Sequence, residues 1–202
     1  MTRIIGGSAG GRRIETPKGD GTRPTSDRVR EALFSTLQAH FGVFDRLGVL
    51  DLYAGSGAVG LEAASRGASY VVAVEADRST AKVIERNATA LDSALDSVVE
   101  TVVQPVGRFL ARPARTRVDL VFLDPPYPLS EADLAGDLRL LVDQGWLADD
   151  ALVVVERGSR SPEPTWPAGI RPLPGKRRRK KYGETTLWYA AAGRDEPPEP
   201  LR

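Results

Sequence analysis

Between residues 49 and 156 short apolar runs alternate with helical stretches, and this alternation constrains the fold more than any other feature of the chain. Residues 49–53, 70–75, 98–104, 118–123 and 151–156 are strand-sized, rich in Val and Leu, and bounded by turn residues. Between them, residues 59–66, 79–91, 106–111 and 130–142 read as helices, the first stopped at Gly67 and the last capped by Ser130, with Asp133 in its first turn. Strands that alternate with helices return parallel through crossovers. The pattern therefore predicts an α/β fold with a doubly wound, mostly parallel sheet.

The two ends follow a different style. Arg3-Ile4-Ile5 and Arg12-Arg13-Ile14 flank a glycine-rich turn, Gly6-Gly7-Ser8-Ala9-Gly10-Gly11, and read as a β-hairpin. A Pro/Gly-punctuated loop follows at 16–24, then a helix from Asp27 to about Phe41. Beyond residue 156 come a Pro-rich loop at 161–174, a basic run and a final strand at 185–191. The last segments are expected to return as an antiparallel hairpin on the sheet edge, giving seven strands in the main sheet. The expected organisation is an N-terminal extension over 1–24, a main domain over 25–192 and a fraying tail over 193–202.

Composition removes several chemistries. With no cysteine and one histidine, His40, the chain has no disulfide, no thiolate nucleophile, no Cys-rich zinc site and no multi-histidine metal site, so no metal is expected. No apolar run approaches the roughly 20 residues of a membrane span, and the first residues lack a signal-peptide core, so a cytoplasmic monomer is expected. The net charge of +1 hides a division: residues 1–31 carry +3, 171–182 carry +7, 32–170 carry −7 and 183–202 carry −2. Basic ends around an acidic body point to a polyanionic partner, and the candidate contacts are Arg3, Arg12, Arg13, Arg23, Lys176, Arg177, Arg178, Arg179, Lys180 and Lys181. The competing reading is an edge strand blunted by charge against aggregation, or arginine enriched through base composition.

Two constellations carry chemistry. In Asp51-Leu52-Tyr53-Ala54-Gly55-Ser56-Gly57-Ala58-Val59-Gly60 the glycines let a backbone turn off a strand and approach a ligand at a helix N-terminus, and Glu75 ends the next strand, where it can accept both hydroxyls of a ribose. Alone, this fits NAD, FAD or S-adenosylmethionine. Asp51 would crowd a pyrophosphate but suits a cationic methionine moiety, and the loop has no Lys or Arg to meet phosphate. The second constellation is Asp124-Pro125-Pro126-Tyr127 at the end of the fourth strand. Its prolines fix a rigid backbone. A carboxylate and a fixed carbonyl accepting both N–H groups of an exocyclic base amine would draw that nitrogen towards tetrahedral geometry, and Tyr127 would stack the base, worth about 1–3 kcal/mol.

These motifs resemble those of class I S-adenosylmethionine-dependent methyltransferases that modify exocyclic amines. Three further segments narrow the resemblance: residues 3–14, then Thr22-Arg23-Pro24-Thr25-Ser26-Asp27-Arg28-Val29-Arg30-Glu31-Ala32-Leu33-Phe34, and Tyr182-Gly183-Glu184-Thr185-Thr186-Leu187. Together they are similar to the bacterial family that methylates guanine N2 in 16S ribosomal RNA, at position 966 of that RNA. The resemblance implies a Rossmann-like fold, S-adenosylmethionine as cofactor and 16S rRNA, within the small subunit or an assembly intermediate, as partner. It implies cofactor contacts from Asp51, Gly55, Gly57 and Glu75, with Tyr53, Ala54, Ser56, Ala76, Gln104 and Val106 completing the lining. Asp124, Pro125, Pro126 and Tyr127 would hold the target amine. Where the family often places an acid for the adenine, this chain has Gln104. A DNA adenine-N6 methyltransferase shares every cofactor feature and is the nearest alternative, although the chain leaves little room for a target-recognition region. A nicotinamide-dependent dehydrogenase would have no use for the Asp-Pro-Pro-Tyr segment, and a non-catalytic RNA-binding module none for the glycine loop.

Overall fold

The computed structural model describes residues 2–17 and 27–193; Arg23, the rest of 18–26 and the tail from 194 lie outside the described residues. Strands β1 (Thr2–Arg3) and β2 (Arg13–Ile14) form the antiparallel N-terminal arm. Helix α1 (Asp27–Phe41) leads into β3 (Gly48–Leu52), α2 (Ala58–Ser65), β4 (Tyr70–Glu75), α3 (Arg78–Leu91), β5 (Val98–Val103), α4 (Val106–Leu110), β6 (Val118–Leu123) and α5 (Glu131–Asp143). Four strands follow: β7 (Leu147–Gly158), β8 (Ile170–Pro172), β9 (Arg179–Tyr182) and β10 (Thr185–Ala192).

The main sheet runs β5-β4-β3-β6-β7-β10-β8, with β9 also paired to β10. Strands β3 to β7 are mutually parallel, and β10 is antiparallel to β7. The doubly wound class is as the sequence predicts. The sheet has eight described strands rather than seven because the outer edge of β10 is divided. Here β9 takes residues 185–188 of β10 and β8 takes 190–192. The Pro-rich stretch at 161–174 hid β8; Pro172 is tolerated there because an edge strand needs no donor on its outer side. Strand β7 also starts earlier than expected, through an irregularity opposite Val118 and Leu120 where Asp150 has φ +63°.

The central strands are buried on both faces, which is why they read as continuous apolar runs. Leu50, Leu52, Val121, Leu123, Val153 and Val155 pack with Leu134, Leu138 and Leu141 of α5. The alternate residues Val49, Leu120, Phe122, Leu152 and Val154 meet Leu33, Phe34 and Leu37 of α1 and Ala63 and Ala64 of α2. Each such side chain contributes about 1.5–3 kcal/mol by leaving water. As expected, Ser130 caps α5 by accepting from the Asp133 amide at 3.1 Å.

The arm is seated on α2. The carboxylate of Glu62, fully buried, accepts from the amides of Ile5 (2.7 Å) and Gly6 (2.8 Å) and pairs with Arg66 at 2.8 Å and the buried Arg30 at 3.8 Å. Gly7 has φ +78°, and a Cβ there would lie 1.8 Å from the Ser65 carbonyl oxygen, so only glycine allows this approach. Ile4, Ala9 and Ile14 close the contact over Leu61 and Leu91. Among the described residues no helix is long and apolar enough to cross a membrane.

From β3 the chain winds outward through β4 to β5, then crosses back to β6 on the other side of β3. The two directions of winding diverge at the carboxyl ends of β3 and β6. That divergence opens a crevice in sheets of this kind.

Candidate cofactor and target-base site

The loop after β3 turns tightly. The Ala54 amide donates to the Val74 carbonyl (3.0 Å) and the Gly57 amide to Ala54 (2.7 Å). Tyr53, Gly55 and Gly57 all have positive φ, at 60°, 57° and 74°, so a non-glycine residue holds a left-handed conformation at the end of β3. The glycines differ in what requires them. A Cβ on Gly57 would press on Ile84 at 2.9 Å, and one on Gly60 would meet Val71 at 2.8 Å and Asp51 at 3.1 Å, so both serve packing of α2. A Cβ on Gly55 would meet only the Tyr53 carbonyl oxygen, at 4.0 Å. Space beside that backbone is open, as a ligand lying against the loop requires.

Glu75 ends β4 beside this loop. Its Oε2 accepts from the Gly55 amide (3.0 Å) and its Oε1 from the Asp77 amide (2.9 Å), so the carboxylate borders the opening over Gly55. Ala76 follows it, exposed. Asp51 lies beneath the loop, 2% exposed, with Oδ2 accepting from the Gly60 amide at 2.8 Å. Burial pushes its carboxyl up to about 7, the Gly60 N–H opposes this, and the negative charge of Glu75 adds to it. A cation in the crevice would relieve that pair of carboxylates. These residues fit a sulfonium-bearing amino acid with a ribose.

The raised carboxyl has a pH consequence. Asp51 keeps in the folded state a proton that the unfolded chain loses near 3.8, so its contribution to stability falls as pH rises from about 4 to about 7 and is level above that. The cost reaches up to about 1.4 kcal/mol per pH unit within that window. Thermal unfolding of the cofactor-free protein from pH 5 to pH 8 is expected to show a fall in melting temperature that Asp51→Asn flattens; parallel curves for parent and variant would count against this.

Gln104, after β5, donates its backbone amide to the Glu75 carbonyl (3.0 Å), and its side-chain oxygen is taken by Arg112. That bond uses one of the two lone pairs of the oxygen. Val106 is buried at the start of α4. Across the crevice, the Asp124 amide reaches the Leu52 carbonyl at 3.4 Å, which sets the Asp-Pro-Pro-Tyr segment directly against the end of β3. Asp124 is half-buried and Pro125 buried, while the Pro126 carbonyl is used by the Leu129 amide (2.9 Å). Tyr127 is 74% exposed, and a Cβ on Gly158 at the end of β7 would meet its ring at 3.4 Å. The structure thus brings the glycine loop, Glu75 and residues 124–127 to one rim.

The family model described as conserved hypothetical protein 95 matches residues 2–191. The chain belongs to that family. It is 41% identical over 166 residues to Ribosomal RNA small subunit methyltransferase D of Escherichia coli, covering 82% of this chain and 79% of that protein. The Haemophilus influenzae protein of the same name is 36% identical over 161 residues, covering 79% and 80%. Among solved structures, the Escherichia coli protein yhhF superposes with a TM-score of 0.79 at 36% identity, over 95% of this chain and 97% of that one. A Thermus thermophilus hypothetical protein gives 0.74 at 32%, over 94% and 98%.

The basic segments of this family member are held in different ways. Arg3, Arg12 and Arg13 are exposed on the arm. In the second segment Arg178 is bound to Glu163, Arg179 lies over the Trp188 ring at 5.5 Å and Lys180 Nζ donates to Thr36 of α1 at 2.9 Å. Lys176, Arg177 and Lys181 are exposed. Helix α1 links the two segments, since Arg30 donates to Thr2 Oγ1 at 3.2 Å while Thr36 holds Lys180. The β9–β10 turn meets the rim, with the Ser159 amide on the Glu184 carbonyl at 2.7 Å.

Sequence reasoning missed Asp137. The Tyr53 hydroxyl donates to Asp137 Oδ2 at 2.5 Å, which ties the left-handed residue of the glycine loop to α5. Burial raises the Asp137 carboxyl, Tyr53 opposes the shift and Asp133 adds to it. The available signal was an acid on the buried stripe Leu134, Asp137, Leu138, Leu141. Arg157, held on Glu131 at the start of α5, was missed as well.

Proposed function

We propose that this protein transfers a methyl group from S-adenosylmethionine to the exocyclic N2 amine of a guanine in 16S rRNA, the base at position 966. The observation that carries this reading is the meeting of the Gly55–Glu75 opening and residues 124–127 at the β3/β6 divergence. The curated relatives named as small-subunit ribosomal RNA methyltransferases support the RNA class.

When bound, the cofactor supplies an electrophilic methyl group on a cationic sulfur. Glu75 would accept the ribose hydroxyls, the Gly55 backbone would lie against the methionine moiety, and Asp51 would offset its charge from below. The guanine must leave its stack to reach the crevice. There the Asp124 carboxylate and the Pro125 carbonyl would accept the two N2 hydrogens, holding the nitrogen lone pair towards the methyl carbon. Tyr127 would stack the base. The proton lost from N2 passes to Asp124 or to water. Most of the acceleration comes from holding nitrogen and methyl carbon in line at near-attack distance. Arm arginines and the exposed cations of 176–181 would meet phosphates, so RNA affinity falls steeply with salt.

The test is incubation of purified protein with labelled S-adenosylmethionine and small-subunit RNA, naked and as the assembled subunit, followed by nucleoside mass spectrometry. N2-methylguanosine is the expected product. Methylation of adenine in a DNA control, with no labelled guanosine, would overturn the reading.

A further inference from the structure

One buried amide on α3 joins the glycine loop to the arm. Asn87 is 2% exposed. Its Oδ1 accepts from the Glu15 amide at 2.8 Å, and its Nδ2 donates to the Glu15 carbonyl at 3.0 Å and to the Ser56 carbonyl at 3.0 Å. A carboxamide has two N–H donors, and both of these are spent. One faces the arm and the other the loop.

The pairing with Glu15 uses both backbone groups of the residue, as a neighbouring strand would. Glu15 directly follows β2, and its side chain is held a second time by Arg86 of the same helix, at 2.9 Å. The chain then continues into 16–26, which carries Arg23. On the other side, Ser56 stands between Gly55 and Gly57, inside the turn that borders the cofactor crevice. One carboxamide holds both segments, so a movement of either that carries the amide with it shifts the group the other bonds. Of the three bonds, two reach 72 residues along the chain and one 31, so nothing local holds the group in place.

We infer that Asn87 couples the two binding events: a cofactor that orders the glycine loop fixes the Ser56 carbonyl, thereby the Asn87 amide, and thereby the arm segment presented to RNA. Cofactor and RNA then bind with positive cooperativity, and linkage makes the effect equal in both directions. Asn87 is a positioning residue in this scheme and touches neither ligand. The inference rests on the methyltransferase reading above.

The experiment uses the full chain, S-adenosylhomocysteine as an unreactive cofactor probe and a small-subunit rRNA transcript. RNA affinity is measured by fluorescence anisotropy with and without saturating S-adenosylhomocysteine. Cofactor affinity is measured by calorimetry with and without RNA. The parent protein is expected to bind RNA about fivefold tighter when the cofactor probe is present. In Asn87→Ala that ratio falls to about one. Because removing a buried amide also weakens the fold, Glu15→Pro serves as a second variant. It removes the Glu15 N–H and, with the side chain, the ion pair to Arg86, and leaves the Asn87–Ser56 bond in place. Its affinity for S-adenosylhomocysteine alone should match the parent, while the ratio again falls towards one. A merely structural role would lower the melting temperature and both affinities and leave the ratio unchanged. A parent ratio of one, or an unchanged ratio in both folded variants, overturns the inference while the proposed function stands. Failure of the parent to bind either probe refutes the proposed function and this inference with it.

Discussion

The Asp124→Ala variant is expected to lose methyl transfer by on the order of a hundredfold to a thousandfold while cofactor affinity stays within about twofold. The asymmetry follows from where the residue stands. Its bond to the end of β3 is made by its backbone amide, on the Leu52 carbonyl, and alanine keeps that bond. The Gly55–Glu75 opening is built from other elements and is left intact. What disappears is a negative acceptor whose hold on the amine strengthens as positive charge grows on the nitrogen, which is help given to the transition state rather than to the bound substrate. Asp124→Asn keeps an acceptor oxygen without the charge and should fall between parent and alanine variant. Single-turnover transfer with labelled cofactor, paired with calorimetry of cofactor binding, measures both quantities. Parallel loss of cofactor affinity would move Asp124 from the target amine to the cofactor.

Glu62→Ala carries the largest expected cost to stability, about 3–5 kcal/mol, or a melting temperature lower by about 10 °C. The carboxylate has no exposure and serves the Ile5 and Gly6 amides, Arg66 and Arg30 at once. Removing it leaves the Arg30 guanidinium buried with Asp27 as its remaining carboxylate among the described residues, while burial already pulls its pKa down. The arm loses both backbone acceptors, so hydrogen exchange at Ile5 and Gly6 should accelerate more than in the core strands. Glu62→Gln retains acceptor capacity for the arm but not the charge facing Arg30, which separates the two contributions. A loss below about 1 kcal/mol for the alanine variant would place this carboxylate among ordinary surface charges.

Much of this architecture can be read from residues because the central strands are buried on both faces and their side chains must be apolar throughout. The same holds for the glycine loop, where Gly57 and Gly60 answer to contacts with Ile84 and Val71. The Asp-Pro-Pro-Tyr segment is legible through the stiffness of its prolines. What stayed hidden is tertiary. Glu62 and Asp137 are charges within helices, and a charge within a helix reads as solvated until the burying face is known. Strand β8 was masked by Pro172, a residue that signals a loop except at an edge. The basic run at 176–181 reads as six free cations, yet Arg178, Arg179 and Lys180 are engaged by Glu163, Trp188 and Thr36. Binding partners for such long side chains come from distant elements, and no spacing rule announces them.

The insertion of β10 between β7 and the β8/β9 edge bears on how the molecule is made. During synthesis β7 emerges well before the strand that covers it, because β8 and β9 precede β10 in the chain. Until β10 arrives, the fully buried run from Leu152 to Val155 carries an open row of backbone donors and acceptors. Such a segment invites pairing with other nascent chains. Folding is therefore completed late and from the C-terminal side, and the crevice gains its Gly158 wall only as β10 locks β7 into the sheet.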